Sequence, residues 1–234
     1  MRRFAATIRE SKDILNLRPI ERWNVDNLLL SGSNITRMLG LYNNINLTSL
    51  SSSEEPIFDN INNQIVFDGI NDAAIRSFPA LSSAIGEFIL VVYYDPNPSN
   101  AYVFFGNSND INDRFLILST SNGFEIIIGA SVVRLYASAF KGVGYYIASF
   151  VSDGTKCKIY LDDPINEKPL TVINGINNGT WTSNQTVNVF LIGSVLANNY
   201  RKVKIKDYTL FTRVLTDSER TIAFEELNEK YNIY

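Results

Sequence analysis

Short apolar segments, recurring along the chain and separated by turn residues, most constrain what this sequence can fold into. Many alternate apolar with polar side chains, which is typical of strands with one buried face. Their joints carry Asn-Gly, Asp-Gly or Asp-Pro pairs, which suit tight turns. The segments are residues 63–74, 87–94, 102–105, 115–118, 124–128, 132–136, 145–151, 156–161, 187–192 and 203–211. We therefore predict an all-β sandwich of two antiparallel sheets, with less regular short strands and long loops over residues 20–63.

The C-terminus changes to a helical period. Thr216 and Glu219 have the spacing of a capping box, in which each side chain bonds the backbone amide of the other residue. Apolar residues then recur on one helical face, at Ala223, Phe224, Leu227 and Tyr231. This pattern predicts one amphipathic helix over residues 217–231, which must dock on the sandwich to bury its apolar face.

Residues 1–19 differ from the rest and are predicted to form a short N-terminal arm, while residues 20–234 form the sandwich and its helix. The arm has a loose helical stripe with basic residues around it, and Pro19 stops it. Its candidate anchoring residues are Arg2, Arg3, Phe4 and Ile8. Two interpretations stay open: the arm binds a partner, or it folds back on its own sandwich.

Composition removes several classes of function. The chain has no histidine, which excludes Ser-His-Asp and Cys-His catalysis and His-ligated zinc. Its one cysteine, Cys157, allows no intrachain disulfide and is interpreted as an inert strand residue. A net charge of -3 argues against nucleic acid or anionic lipid as a partner, since both need clustered cations. No stretch reaches the roughly 20 apolar residues of a membrane span, and no secretory signal is found at the N-terminus.

Three segments resemble one family when taken together. Residues 66–72 read VFDGIND, residues 145–163 read YYIASFVSDGTKCKIYLDD, and residues 203–216 read VKIKDYTLFTRVLT after LIGS at 191–194. In order and spacing they resemble concanavalin A-like lectin/glucanase domains of the laminin-G and pentraxin type. The resemblance implies a jelly-roll β-sandwich over residues 20–234, of a kind found on bacteriophage virion proteins. The sequence departs from the family where Asp163-Pro164 replaces an Asp-Gly turn and a tyrosine replaces the family tryptophan before the hairpin.

The resemblance also raises the question of catalysis, because related jelly rolls include glycoside hydrolases. Their catalytic strand carries a Glu-x-Asp-x-x-Glu pattern, which places an acid and a base across the sugar ring. This sequence lacks that pattern. Its adjacent acids, Glu54-Glu55 and Asp162-Asp163, would point to opposite faces of a strand. We therefore expect no enzymatic activity.

Binding residues are predicted in two polar loops. The first lies between two strands and supplies Asn107, Asn109, Asp110 and Asp113, whose oxygens suit a ligand or Ca²⁺, the latter at Asp110 and Asp113. The alternative is that these are turn residues which bond their own backbone. In the second loop Trp181 can stack on a sugar, or can pack at a sheet edge instead.

The expected function is a non-enzymatic structural protein of a bacteriophage virion, in the capsid, a head fibre or the tail. It would be made in the host cytoplasm, assemble in several copies with other virion proteins, and need no cofactor. The alternative is a carbohydrate-binding lectin module with or without calcium, with a host-surface glycan as its partner. A glycoside hydrolase is the third hypothesis.

Overall fold

The computed structural model describes most of the chain. The described residues are 13–49, 51–72, 74–76, 86–96, 102–107, 115–121, 123–128, 133–138, 141–177, 190–192 and 202–234. Among these, no helix is long and apolar enough to cross a membrane.

The regular structure of the described residues is a succession of strands followed by one C-terminal α-helix, which confirms the predicted all-β class. The strands are β1 (Glu21–Asn24), β2 (Leu28–Ser31), β3 (Asn34–Met38), β4 (Leu47–Thr48), β5 (Ile57–Asp59), β6 (Gln64–Asp68), β7 (Ala74–Arg76), β8 (Gly86–Tyr94), β9 (Tyr102–Asn107), β10 (Phe115–Thr120), β11 (Gly123–Ile128), β12 (Val133–Ala137), β13 (Gly144–Ser152), β14 (Cys157–Leu161), β15 (Thr171–Asn174), β16 (Phe190–Ile192) and β17 (Lys202–Phe211). The helix α1 spans Asp217–Tyr231, and short 3-10 turns occur at Ile14–Leu17 and Ser52–Glu54.

The pairings, all antiparallel, define two sheets. The first, here called the central sheet, has the order β14, β13, β8, β17, β6 and β5, and β1 lies beside β6 along the second half of β17. The second runs β15, β12, β11, β10, β9, β16, β7 and β4. Strand β3 pairs with both β4 and β5 and so joins the edges of the two sheets. This arrangement is the predicted sandwich.

The middle strands of the central sheet are buried on both faces along most of their length. On β8, Phe88 and Leu90 point into the core between the sheets, whereas Ile89 and Val91 belong to a second apolar cluster under α1. Because successive side chains on a strand point to opposite faces, a strand with two covered faces must be apolar almost throughout. That requirement explains the unbroken run of apolar and aromatic residues at 88–94.

The helix covers the outer face of the central sheet through the residues predicted to dock. Ala223, Phe224 and Leu227 are buried in the cluster under α1. The capping box is present: Thr216 accepts a hydrogen bond from the Glu219 amide, and the Glu219 carboxylate accepts one from the Thr216 amide. The predicted helix, residues 217–231, is confirmed.

The described end of the predicted arm folds back on the chain's own sandwich. Ile14 is fully buried in the cluster under α1, and its amide donates to the Glu226 carboxylate of the helix. The Leu17 carbonyl accepts from Arg213 at 3.0 Å. The proposed anchoring residues Arg2, Arg3, Phe4 and Ile8 lie outside the described residues, so the anchor stays a prediction.

Candidate functional site

The binding residues predicted from the sequence lie almost entirely outside the described part of the chain. This holds for Asn109, Asp110, Asp113 and Trp181, while Asn107 ends β9, where its backbone is in register with Phe115 of β10. Within the described residues no group of three or more His, Cys, Asp or Glu side chains is placed to hold a metal ion. The loop site and its calcium therefore stay predictions.

A different cluster lies on the outer face of the central sheet, next to the C-terminal end of α1. It consists of Tyr93 on β8, Tyr145 on β13, and Lys204 and Lys206 on β17, and is called the tyrosine–lysine patch below. Tyr93 and Tyr145 are direct partners in the β8–β13 ladder. All four side chains are partly exposed.

Ordinary strand alternation places both lysines on this face, because Lys204 and Lys206 are two positions apart in β17. The β17–β8 register shifts between Ile205 and Asp207. Val203 and Ile205 before the shift point into the core between the sheets, and so do Tyr208 and Leu210 after it. An extra residue in one strand lets two successive side chains leave the inner face. Asp207 thus joins Lys206 on the outer face, where its carboxylate accepts from the Tyr231 hydroxyl of α1.

The rings and ammonium groups of the patch are in direct contact. The Tyr93 and Tyr145 ring centroids are 5.2 Å apart, with an interplanar angle of 69°. The Nζ of Lys204 lies 4.6 Å from the Tyr93 centroid, and the Nζ of Lys206 lies 4.6 Å from the Tyr145 centroid. Such distances are typical of cation–π pairs, which hold the charged groups over the rings.

Neighbouring groups fix the patch in place. The Tyr145 hydroxyl donates to the Gln64 side-chain oxygen. The Tyr231 ring of α1 lies 5.9 Å from the Lys206 Nζ, and its hydroxyl donates to the Lys206 carbonyl at 3.1 Å. Burial raises the pKa of Tyr145 and lowers the pKa of Lys206. The result is an ordered surface with aromatic edges, hydroxyls and ammonium donors, all of which suit a hydroxylated ligand.

A pocket of about 270 Å³ lies beside β14 and contains the single cysteine. Cys157 is buried, and burial raises the pKa of its thiol to about 12, so it is not a thiolate at neutral pH. Its backbone amide and carbonyl are both bonded by the Asn177 side chain, at 2.6 and 3.0 Å. Two lysines of the pocket are paired, Lys156 with Glu167 and Lys158 with Asp153. We infer a structural role for this region.

Comparison with known proteins identifies the fold. No protein-family model matches the chain, and no curated protein matches it in sequence. A solved structure of Trypanosoma rangeli sialidase in complex with sialic acid matches 90% of this chain and 33% of that chain, with 13% identity and a TM-score of 0.59. The receptor-binding domain of botulinum neurotoxin C/D mosaic serotype matches 90% of this chain and 52% of that chain, with 10% identity and a TM-score of 0.58. The fold is a jelly-roll-like β-sandwich.

The comparison also corrects one expectation from the sequence. The missing pattern of paired acids led us to expect that the protein is not an enzyme. That expectation is wrong as an exclusion, because the matching structures include sialidases, and this fold therefore occurs within glycosidase chains. The chain spans about a third of the length of those sialidases. The Glu-x-Asp-x-x-Glu pattern comes from a single strand of one kind of glycoside hydrolase. Its absence therefore does not exclude enzymes in which this fold is only one part of a longer chain.

Proposed function

We propose that the chain is a carbohydrate-recognition domain that binds a glycan at the tyrosine–lysine patch. The observation that carries the proposal is the patch itself, two facing tyrosines with two lysines held over them on the partly exposed outer face of the central sheet. Sugars present hydroxyl groups and weakly apolar ring faces. Binding sites for them therefore combine aromatic surface with a few fixed polar groups.

The position of the patch favours recognition over a purely structural role. Tyr93 and Lys204 are partly exposed, and Tyr93 is not part of the apolar cluster under α1, so the sheet here is open to a ligand. The second sheet packs under the patch and α1 packs beside it, and a surface held in place before the ligand arrives loses little ordering entropy on binding.

The matching proteins support this proposal. Two of their titles describe a sialidase in complex with sialic acid and the receptor-binding domain of a toxin. Each title names something the protein binds, sialic acid in the first and a receptor in the second. Since this chain spans a third of the first and about half of the second, we propose that it supplies the recognition part of a larger glycan-binding or glycan-processing assembly.

The proposal predicts loss of glycan binding when Tyr93 is removed. Tyr93→Ala deletes one ring and the support for the Lys204 ammonium group, so affinity for any bound glycan is expected to fall at least about tenfold. The measurement is a glycan array followed by calorimetric titration of the strongest ligand. Tyr42→Ala is the matched control, because the Tyr42 side chain is an exposed tyrosine outside the patch.

Thermal melts of both variants show whether each remains folded. If neither the intact chain nor any variant binds a glycan, the proposed function is wrong. Binding that survives Tyr93→Ala unchanged would instead move the site elsewhere, to the loops of Asp110 or Trp181.

We also propose the setting that the sequence resemblance implies, display on a bacteriophage particle beside other virion proteins. The support for this setting is the order of the three family-like segments in the sequence. It predicts that the chain co-purifies with intact particles in a density gradient, in several copies per particle by quantitative mass spectrometry. Recovery only in the particle-free fraction would contradict it.

A further inference from the structure

The two lysines of the patch differ from other lysines of the described chain in what they contact. Four others form ion pairs with carboxylates. These are Lys141 with Asp162, Lys156 with Glu167, Lys158 with Asp153 and Lys230 with Asp26. Lys204 and Lys206 lie over tyrosine rings, as Lys141 and Lys230 also do, but among the described residues neither Lys204 nor Lys206 has a carboxylate within ion-pair distance.

Nearby acids are already engaged. Asp207 follows Lys206 in sequence, but its carboxylate receives the Arg22 guanidinium at 2.9 Å and the Tyr231 hydroxyl at 3.0 Å. Asp59, near the Tyr145 hydroxyl, accepts from Asn62 at 2.7 Å and from Gln64 at 2.6 Å. Neither carboxylate bonds a lysine of the patch, so both ammonium groups lack an ion-pair partner among the described residues around them.

Leaving two ammonium groups unpaired has a free-energy cost. Residues two positions apart on a strand and on one face lie roughly 7 Å from each other, so the two charges repel. Lys206 is also partly buried, which lowers its pKa because burial disfavours the charged form. An anionic group placed between them would relieve both effects. It could contact both ammonium groups at once, because charge-assisted hydrogen bonds span about 2.8 Å.

We infer that the glycan bound at the tyrosine–lysine patch carries a negative charge, as a carboxylate or sulfate that lies between Lys204 and Lys206. This inference rests on the proposed function, because it names the ligand class of the same site. The tyrosines then contact the rest of the sugar. The rings that support the lysines also keep the ammonium groups at fixed positions, which favours one charged group over a diffuse attraction to polyanions.

The test uses the intact chain and matched ligands: lactose, 3′-sialyllactose and 3′-sulfolactose, together with an array in which each acidic glycan is printed beside its neutral parent. Acidic members are expected to bind at least about tenfold more tightly than their neutral parents, and this preference should shrink as salt is raised. Comparing the carboxylate with the sulfate distinguishes the two sources of charge.

Variants separate this inference from the proposed function. Lys204→Gln with Lys206→Gln is expected to abolish the preference for acidic glycans, whereas Lys156→Gln, at a lysine paired with Glu167, leaves it unchanged. Equal binding of neutral and acidic glycans would overturn the inference and leave the proposed function in place. Absence of binding to every glycan would overturn both. A preference for acidic glycans that persists in the double variant would place the anion site elsewhere and also overturn the inference.

Discussion

Replacing Arg220 with alanine is expected to lower the free energy of unfolding by about 3 to 5 kcal/mol, because it leaves a buried carboxylate without its cation. Arg220 and Glu87 are 2% and 0% exposed, and their side chains meet through two hydrogen bonds of 2.6 and 3.1 Å. A buried charge without its partner is among the most destabilising defects a folded protein can carry. Chemical denaturation monitored by tryptophan fluorescence measures the loss.

The Arg220–Glu87 pair also connects the helix to the sheet. Glu87 accepts from the Ser149 hydroxyl at 2.7 Å and from the Leu215 amide at 2.8 Å, and Arg220 donates to the Leu215 carbonyl at 2.9 Å. The Arg220 Cζ lies 4.1 Å from the centroid of the Tyr160 ring. Losing the guanidinium therefore loosens the start of α1 from both β8 and β13.

Two further variants test this explanation. Arg213→Ala breaks a pair with Glu219 in which the arginine is 44% exposed, so its cost should be below about 1 kcal/mol. Arg220→Met with Glu87→Gln removes both charges and keeps an acceptor for the Leu215 amide, and should recover at least half of the loss. Equal losses in Arg213→Ala and Arg220→Ala would show that burial is not what makes the second pair matter.

The sequence predicts the bounds of the long strands of the central sheet closely, because burial makes each strand an apolar run and turn residues mark where it ends. Predicted residues 87–94 and 145–151 compare with Gly86–Tyr94 and Gly144–Ser152 in the structure. By contrast, β15 (Thr171–Asn174) was not predicted. All four of its residues are exposed and it pairs with β12, so no buried face imposes an apolar alternation on its sequence.

The candidate site could not be predicted, for a reason of topology. Tyr93 and Tyr145 meet only because β8 pairs with β13, and strand order is not encoded in the local pattern of either strand. Alternation does place Tyr93 on the face of Ile89 and Val91, but it does not reveal where the cover of α1 ends. Alternation likewise places Lys204 and Lys206 on one face of β17, but it does not reveal that β17 pairs with β8 and so brings them to the two tyrosines.

A second large loss of stability is expected from Glu21→Ala, at least about 3 kcal/mol, because it leaves several backbone amides without an acceptor. Glu21 is fully buried on β1. Its carboxylate accepts from the amides of Tyr42, Asn43 and Ile45 at 2.5, 2.9 and 2.7 Å, and so holds the loop over residues 41–45 against the sheet. Hydrogen exchange of these three amides should accelerate together, and denaturation measures the global loss.

Glu21→Gln tests whether the loop needs the charge of the Glu21 side chain or only its shape. One carboxylate oxygen accepts from Tyr42 and the other from Asn43 and Ile45, so Glu21→Gln turns one acceptor into a donor and should lower the free energy of unfolding by an intermediate amount.

Gly40→Ala disturbs the same contact from the loop side, because its new Cβ would clash with the Glu21 carboxylate and lie 2.5 Å from the Ile45 carbonyl. Glu167→Ala, at an exposed acid paired with Lys156, is the control and should change stability by less than about 1 kcal/mol. If Glu21→Gln proves as stable as the unchanged chain, the loop does not depend on a carboxylate, and packing around Trp23, whose indole donates to the Ile45 carbonyl at 2.6 Å, holds it instead.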